Sequence, residues 1–99
     1  MRYVLRVTIK SFKCKDTRAL FLGERVTRWV NIERPALRKL AQLDWSAILE
    51  DLRVPPGNKL EALQGSRKGQ HSIRINDQWR VCFVWTEDGP GEVEIVDYH

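Results

Sequence analysis

Ninety-nine residues, 42% of them hydrophobic, suit one small domain with a single core spanning residues 1–99, and are too polar for a membrane protein. Lys and Arg exceed Asp and Glu by 17 to 13, a net charge of +4, which fits a nucleic-acid or acidic protein partner without demanding one. No run approaches the roughly 20 apolar residues of a transmembrane span.

The opening MRYVLRVTIKSFK is broken by Arg2, Arg6 and Lys10. It has no signal-peptide core, so a cytoplasmic location is expected. From Tyr3 to Phe12, Tyr3, Leu5, Val7 and Ile9 partly alternate with Arg6, Thr8 and Lys10, predicting a first strand. Asp16 or Thr17 is placed to cap a short helix through Arg18–Leu22, with Gly23 as its stop. Asn31 is a cap candidate for the next helix, residues 33 to 44, with Pro35 in its first turn. Leu37, Leu40, Ala41 and Ile48 recur at helical spacing, and Arg34, Arg38 and Lys39 lie off that line. Asp44 is a cap candidate for a further turn through Ala47-Ile48-Leu49, before Val54-Pro55-Pro56-Gly57.

Beyond Gly57 the pattern changes to alternation, predicting strands near Lys59–Leu63, Gln70–Ile75, Trp79–Trp85 and Glu92–Asp97. Helices followed by short-looped strands mean an α+β fold. Two or three N-terminal helices are expected on a mainly antiparallel sheet of four to five strands. Cys14 and Cys82 fall in different predicted elements without CxxC spacing. They read as small hydrophobes rather than a disulfide or, with two histidines, a zinc site. Trp79 and Trp85 fit core packing, whereas Trp29 and Trp45 are open to packing or to stacking on bases. His71 reads as an edge residue at the start of a strand.

The hairpin between Gln70 and Trp85 carries more information. Ile73, Ile75, Trp79, Val81, Phe83 and Trp85 collect on one face only if Ile75 lies opposite Trp79 and Ile73 opposite Val81. The loop is then Asn76-Asp77-Gln78, and Arg74 faces Arg80 across the ladder, with Ser72 opposite Cys82. Two cations so placed repel, and an anion between them relieves the repulsion. With Lys59, Arg67 and Lys68 this makes five cations near one end of the sheet. A solvated basic edge and a phosphate site are equally compatible with the spacing.

Asp97-Tyr98-His99 sets an acid, a phenol and an imidazole in a row, groups able to move protons near neutral pH. A terminal α-carboxylate beside the His99 ring favours the imidazolium. Val93, Ile95 and Val96 predict a strand that anchors this tail to the sheet. If Val93 and Ile95 lie on the apolar face, Tyr98 joins the arginines; a one-residue shift reverses this.

The segment from Asn58 to Phe83, with its Ser-Ile-Arg-Ile-Asn and Trp-Arg-Val-x-Phe pieces, and the ending Val96-Asp97-Tyr98-His99 resemble the HigB family of bacterial toxins in the RelE/ParE superfamily. Ile9-Lys10-Ser11-Phe12-Lys13 resembles that family's N-terminal strand. The resemblance implies a ribosome-dependent mRNA endonuclease neutralised by a HigA-like helix-turn-helix antitoxin, through which the complex binds operator DNA. It implies catalytic roles for Asp97, Tyr98 and His99 and a phosphate contact for Arg80. Two positions depart from the family pattern. Glu61 stands where a functional histidine is expected, as a possible acid/base replacement, and Gln64 stands where a lysine is expected.

RNA carries its own nucleophile, the 2′-hydroxyl, so the implied reaction needs a base, an acid and charge stabilisation but neither metal nor cofactor. Arg80 and Arg74 are the leading phosphate contacts, and His99 and Asp97 the leading proton-transfer pair. The division of acid and base roles among the tail residues stays open at this stage. ParE-like relatives share the fold and inhibit DNA gyrase, so a non-nuclease toxin and a plain RNA-binding module stand as rival expectations.

Overall fold

The computed structural model describes residues 8–98. Two α-helices, α1 (Lys15–Phe21) and α2 (Glu33–Trp45), precede four strands, β1 (Glu61–Ala62), β2 (His71–Arg74), β3 (Trp79–Thr86) and β4 (Gly89–Asp97). The strands form one antiparallel sheet in sequence order. The expected α+β architecture is what the chain adopts. No helix among the described residues is long and apolar enough to cross a membrane.

The helices cover one face of the sheet. In α2, Ala36, Leu40 and Leu43 are buried, the spacing that turns one helical stripe inward. They meet Ile73, Val81, Phe83, Val93 and Ile95 from the strands. Each fully buried side chain of this size contributes about 1.5–3 kcal/mol, so this shared face dominates the stability of the domain. In α1, Thr17 and Leu20 point inward, and the Thr17 hydroxyl accepts the Ile95 N–H at 3.0 Å, tying the helix to β4. Trp29 is buried and meets Trp79 edge-on, 6.3 Å between ring centroids.

Several local expectations change. The α1 helix begins at Lys15, so Asp16 and Thr17 lie in its first turn and do not cap it, while Gly23 takes the positive φ of 94° that stops it. Asn31 is not a cap, because a 3₁₀ segment, Thr27–Ile32, runs directly into α2 and Ile32 takes the cap position. Asp44 does not cap the following turn; its carboxylate accepts the backbone N–H of Ile9. Asp51 caps instead, accepting from Ala47 and Ile48 ahead of the 3₁₀ turn Leu49–Arg53. The strand expected over Lys59–Leu63 contracts to β1, because Lys59 takes a left-handed φ of 46°.

The predicted first strand lies partly outside the described residues. Its described end makes one isolated parallel bridge, Phe12 to Val93, with hydrogen bonds from Lys10 to Pro90 and Lys13 to Val93. A bulge opposite Phe83 shifts the β3–β4 register between Cys82 and Val84. There Ser11 Oγ accepts the Glu92 N–H at 2.9 Å. A Cβ on Gly91 would stand 3.2 Å from that same oxygen, so a larger residue there requires the Ser11 side chain to shift by a few tenths of an ångström.

Candidate functional site

The second face of the sheet is polar. Its register sets Glu61, Ser72, Cys82 and Glu94 in a row across all four strands. The next row pairs Arg74 with Arg80 and Arg80 with Val96. The hairpin therefore adopts the expected pairing. Asn76 closes its loop by accepting the N–H groups of Gln78 and Trp79 on its side-chain oxygen.

Arg80 lies at the centre and is 8% exposed. Its Nε donates to Ser72 Oγ at 2.8 Å. Its Nη2 donates to the Lys59 carbonyl at 2.5 Å and, more weakly, to the Ser72 carbonyl at 3.4 Å. Its Nη1 stands 3.5 Å from the Glu61 carboxylate. Three anchors thus fix the guanidinium plane, and the Nη1 edge faces the half-exposed Glu61 carboxylate.

The repulsion expected between Arg74 and Arg80 is relieved within the protein: Glu61 faces Arg80, and Asp77 in the hairpin loop pairs with Arg74. No foreign anion is needed to explain the arginine pair. Arg67 enters from the 3₁₀ turn Gly65–Arg67 and donates to Glu94 at 2.8 Å and Gln70 at 3.0 Å. The hydrogen bond to Glu94 is the main reason its guanidinium holds its proton more tightly than usual; burial opposes, and Cys82 and Tyr98 add smaller favourable fields. Cys82 is buried among these charges. Burial pushes its thiol up, with Arg67 and Arg80 pulling down and Glu94 and Glu61 pushing up.

The tail is held to the sheet. The Tyr98 N–H donates to the Gln78 carbonyl at 2.6 Å, and Gln78 Nε2 donates to the Asp97 carboxylate at 3.1 Å. Val93 and Ile95 are buried with the core, so Asp97 pairs with Trp79 on that side and Tyr98 turns to the arginines. The Tyr98 ring lies over the Arg80 guanidinium at 5.4 Å. His99 lies outside the described residues.

The structure thus gathers Glu61, Arg67, Arg80 and Tyr98 into one site. Arg74 lies beside it, engaged with the loop. Lys59 contributes a carbonyl, and its side chain is exposed, as is that of Lys68. His71 stays apart, stacked on Phe83 at 6.2 Å with a buried Nδ1 lacking a partner. Glu94 and Gln78 escaped sequence reasoning. Alternation from Val93 and Ile95 puts Glu94 beside Cys82, which was the available signal; nothing local marked Gln78.

Fold and site together define a class: a small α+β domain with one sheet face closed by helices and the other carrying clustered guanidiniums beside a tyrosine. Residues 10–99 match the family of RelE-like toxins of the HigB type II toxin–antitoxin system, and the chain belongs to it. Over 57 residues, 58% of this chain, it is 47% identical to Toxin HigB-1 of Vibrio cholerae serotype O1. Over 55 residues, 56% of this chain, it is 38% identical to an uncharacterized protein of Haemophilus influenzae. These matches span 60% of the first relative and 54% of the second.

Proposed function

We propose that this chain is the toxin of a type II toxin–antitoxin pair and an endoribonuclease that cuts mRNA on translating ribosomes in the cytoplasm. The observation that carries the reading is the placement of Tyr98 over an Arg80 whose other donors are already engaged. A guanidinium fixed on two sides keeps its plane when the half-exposed Glu61 carboxylate gives up the remaining edge, and a preset plane favours charge stabilisation of a developing phosphorane.

The reaction needs no external nucleophile. A base removes the proton of the 2′-hydroxyl, and that oxygen attacks the adjacent phosphorus. The bond to the 5′-oxygen breaks as an acid protonates it, leaving a 2′,3′-cyclic phosphate and a 5′-hydroxyl. Arg80 Nη1 takes the non-bridging oxygens, and the phosphate displaces Glu61 from that edge. Arg67, locked by Glu94, adds positive field from the side. Tyr98 contacts the reacting nucleotide, with His99 as its partner in proton transfer. Asp97, bonded to Gln78, positions the tail. The proposal includes a HigA-like helix-turn-helix antitoxin as protein partner, through which the complex reaches operator DNA.

Primer extension on mRNA from translating ribosomes tests the reading, using wild type and separate Asp97→Ala, Tyr98→Ala and His99→Ala variants. Cutting by wild type that falls in the Tyr98 and His99 variants is expected. Cutting unchanged in all three would sink the tail assignment, and gyrase inhibition without any cutting would replace the nuclease by the ParE-like alternative.

A further inference from the structure

On the far side of the helix layer, α2 exposes a second stripe. Arg34, Arg38, Ala41 and Trp45 are all exposed and follow one another at helical spacing. The stripe is polarised: cations at its N-terminal end, apolar side chains at its C-terminal end. Trp45 is 67% exposed, a large apolar area for a helix surface. A cleft of about 510 Å³ opens beside it, lined by Arg38, Lys39, Ala41, Gln42, Trp45 and Pro55. Val54, also 67% exposed, extends the apolar wall. A cleft of this volume takes two or three large side chains.

The cleft is braced from beneath. Asn58 is fully buried and donates through Nδ2 to Gln42 Oε1 and the Leu52 carbonyl, both at 3.0 Å, while its Oδ1 accepts from Lys39 Nζ at 2.6 Å. Gln42 Nε2 donates to the Val54 carbonyl. The loop carrying Val54 and Pro55 is therefore fixed against α2, and its apolar wall is preformed.

We infer that this cleft is the docking surface for an acidic, apolar segment of the partner antitoxin. Charge decides the partner's chemistry. The cleft lining holds two cations and no carboxylate, and Arg34 lies one turn beyond. Trp45 and Arg38 are seven residues apart, about 10 Å along the helix at 1.5 Å per residue. The complementary segment seats aromatic or aliphatic side chains against Trp45, Ala41, Val54 and Pro55, with carboxylates about two helical turns away. Nucleic acid fits less well: the aliphatic wall offers it nothing, and the cations stand at one end only. A partner seated here covers the helix side and leaves the arginine face of the sheet open.

The inference rests on the toxin–antitoxin pairing and not on the nuclease reading. Its test measures binding of the full chain to its antitoxin by calorimetry, with Arg38→Glu, Trp45→Gln and the double variant, alongside thermal unfolding and ribosome-dependent cutting. The double variant is expected to bind at least 100-fold more weakly while melting and cutting stay as in wild type. Arg38→Glu alone is expected to weaken binding about 10-fold and to flatten its salt dependence. Variants that bind as wild type overturn the surface. So does lost cutting with intact binding, which would assign the cleft to the ribosome. A wild-type chain that binds no antitoxin overturns the pairing and the surface together.

Discussion

Arg80 is unusual for a proposed ligand-binding arginine because the fold uses most of it, and that has a measurable consequence. Consider Arg80→Met, which keeps the length of the stem and removes the guanidinium. Two strong hydrogen bonds disappear, to Ser72 Oγ and to the Lys59 carbonyl. Hydrogen bonds from a charged donor are worth about 1.5–3 kcal/mol each. The side chain is 10% exposed, so solvent screens these contacts little. The Glu61 pair adds little, since that carboxylate is half exposed and 3.5 Å away. Sparing the desolvation of a cation offsets part of the loss, leaving a net destabilisation of about 2–4 kcal/mol. For a domain of this size that lowers Tm by roughly 10–30 °C. Thermal and urea unfolding followed by circular dichroism measure it directly. An Arg80→Met variant within about 1 kcal/mol of wild type would refute the assignment of Arg80 as a structural anchor. Lost cutting by this variant is therefore informative only when normalised to its folded fraction.

Tyr98→Phe is the complementary case: the ring stays over Arg80, the residue is 42% exposed, and only the hydroxyl goes. Melting within 2 °C of wild type is expected, with cutting on ribosomes reduced about 100-fold if the hydroxyl moves a proton. Asn58→Ala empties the hub beneath the α2 cleft and leaves the buried Leu52 carbonyl without its side-chain donor; a loss of about 1–3 kcal/mol in urea unfolding is expected. For Cys82, burial raises the folded-state thiol above its unfolded value. The folded state therefore binds the proton more tightly, and stability is full below the ordinary thiol range. It declines as pH climbs from there through the raised value. Urea midpoints from pH 7 to 10 should fall more steeply for wild type than for Cys82→Ser, and equal slopes would contradict this. In the same protein Cys14, only partly buried, should be alkylated well before Cys82 at pH 8.

Much of this arrangement is written locally in the chain. The β2–β3 register follows from six large apolar residues that only one pairing puts on a single face, which also fixed Arg74 opposite Arg80. The turn of Tyr98 toward the arginines followed from the same alternation, once Val93 and Ile95 were buried. Interactions across long sequence distances were not legible. Asp44 looks like a cap, yet it serves Ile9, 35 residues away, and Thr17 looks like a cap, yet it serves Ile95. The 3₁₀ segments are too short to set a helical period, although Thr27–Ile32 carries Trp29, Val30 and Ile32 and Leu49–Arg53 carries Leu49 and Leu52. The arginines were visible as a cluster, but their partners were not, because Glu61 and Glu94 meet them only through strand pairing. That pairing is why an apparent phosphate clamp is, at rest, a set of internal ion pairs.

The central claim is cleavage through the RNA's own 2′-hydroxyl at the Arg80–Tyr98 face. The most direct measurement is cutting by wild-type protein, on translating ribosomes, of an mRNA carrying a single 2′-O-methyl nucleotide at the mapped cut site. Abolished cutting at that site, with a 2′,3′-cyclic phosphate on the product of the unmodified message, is the predicted result. Cutting that persists through the blocked 2′ position, or product ends without the cyclic phosphate, would contradict it.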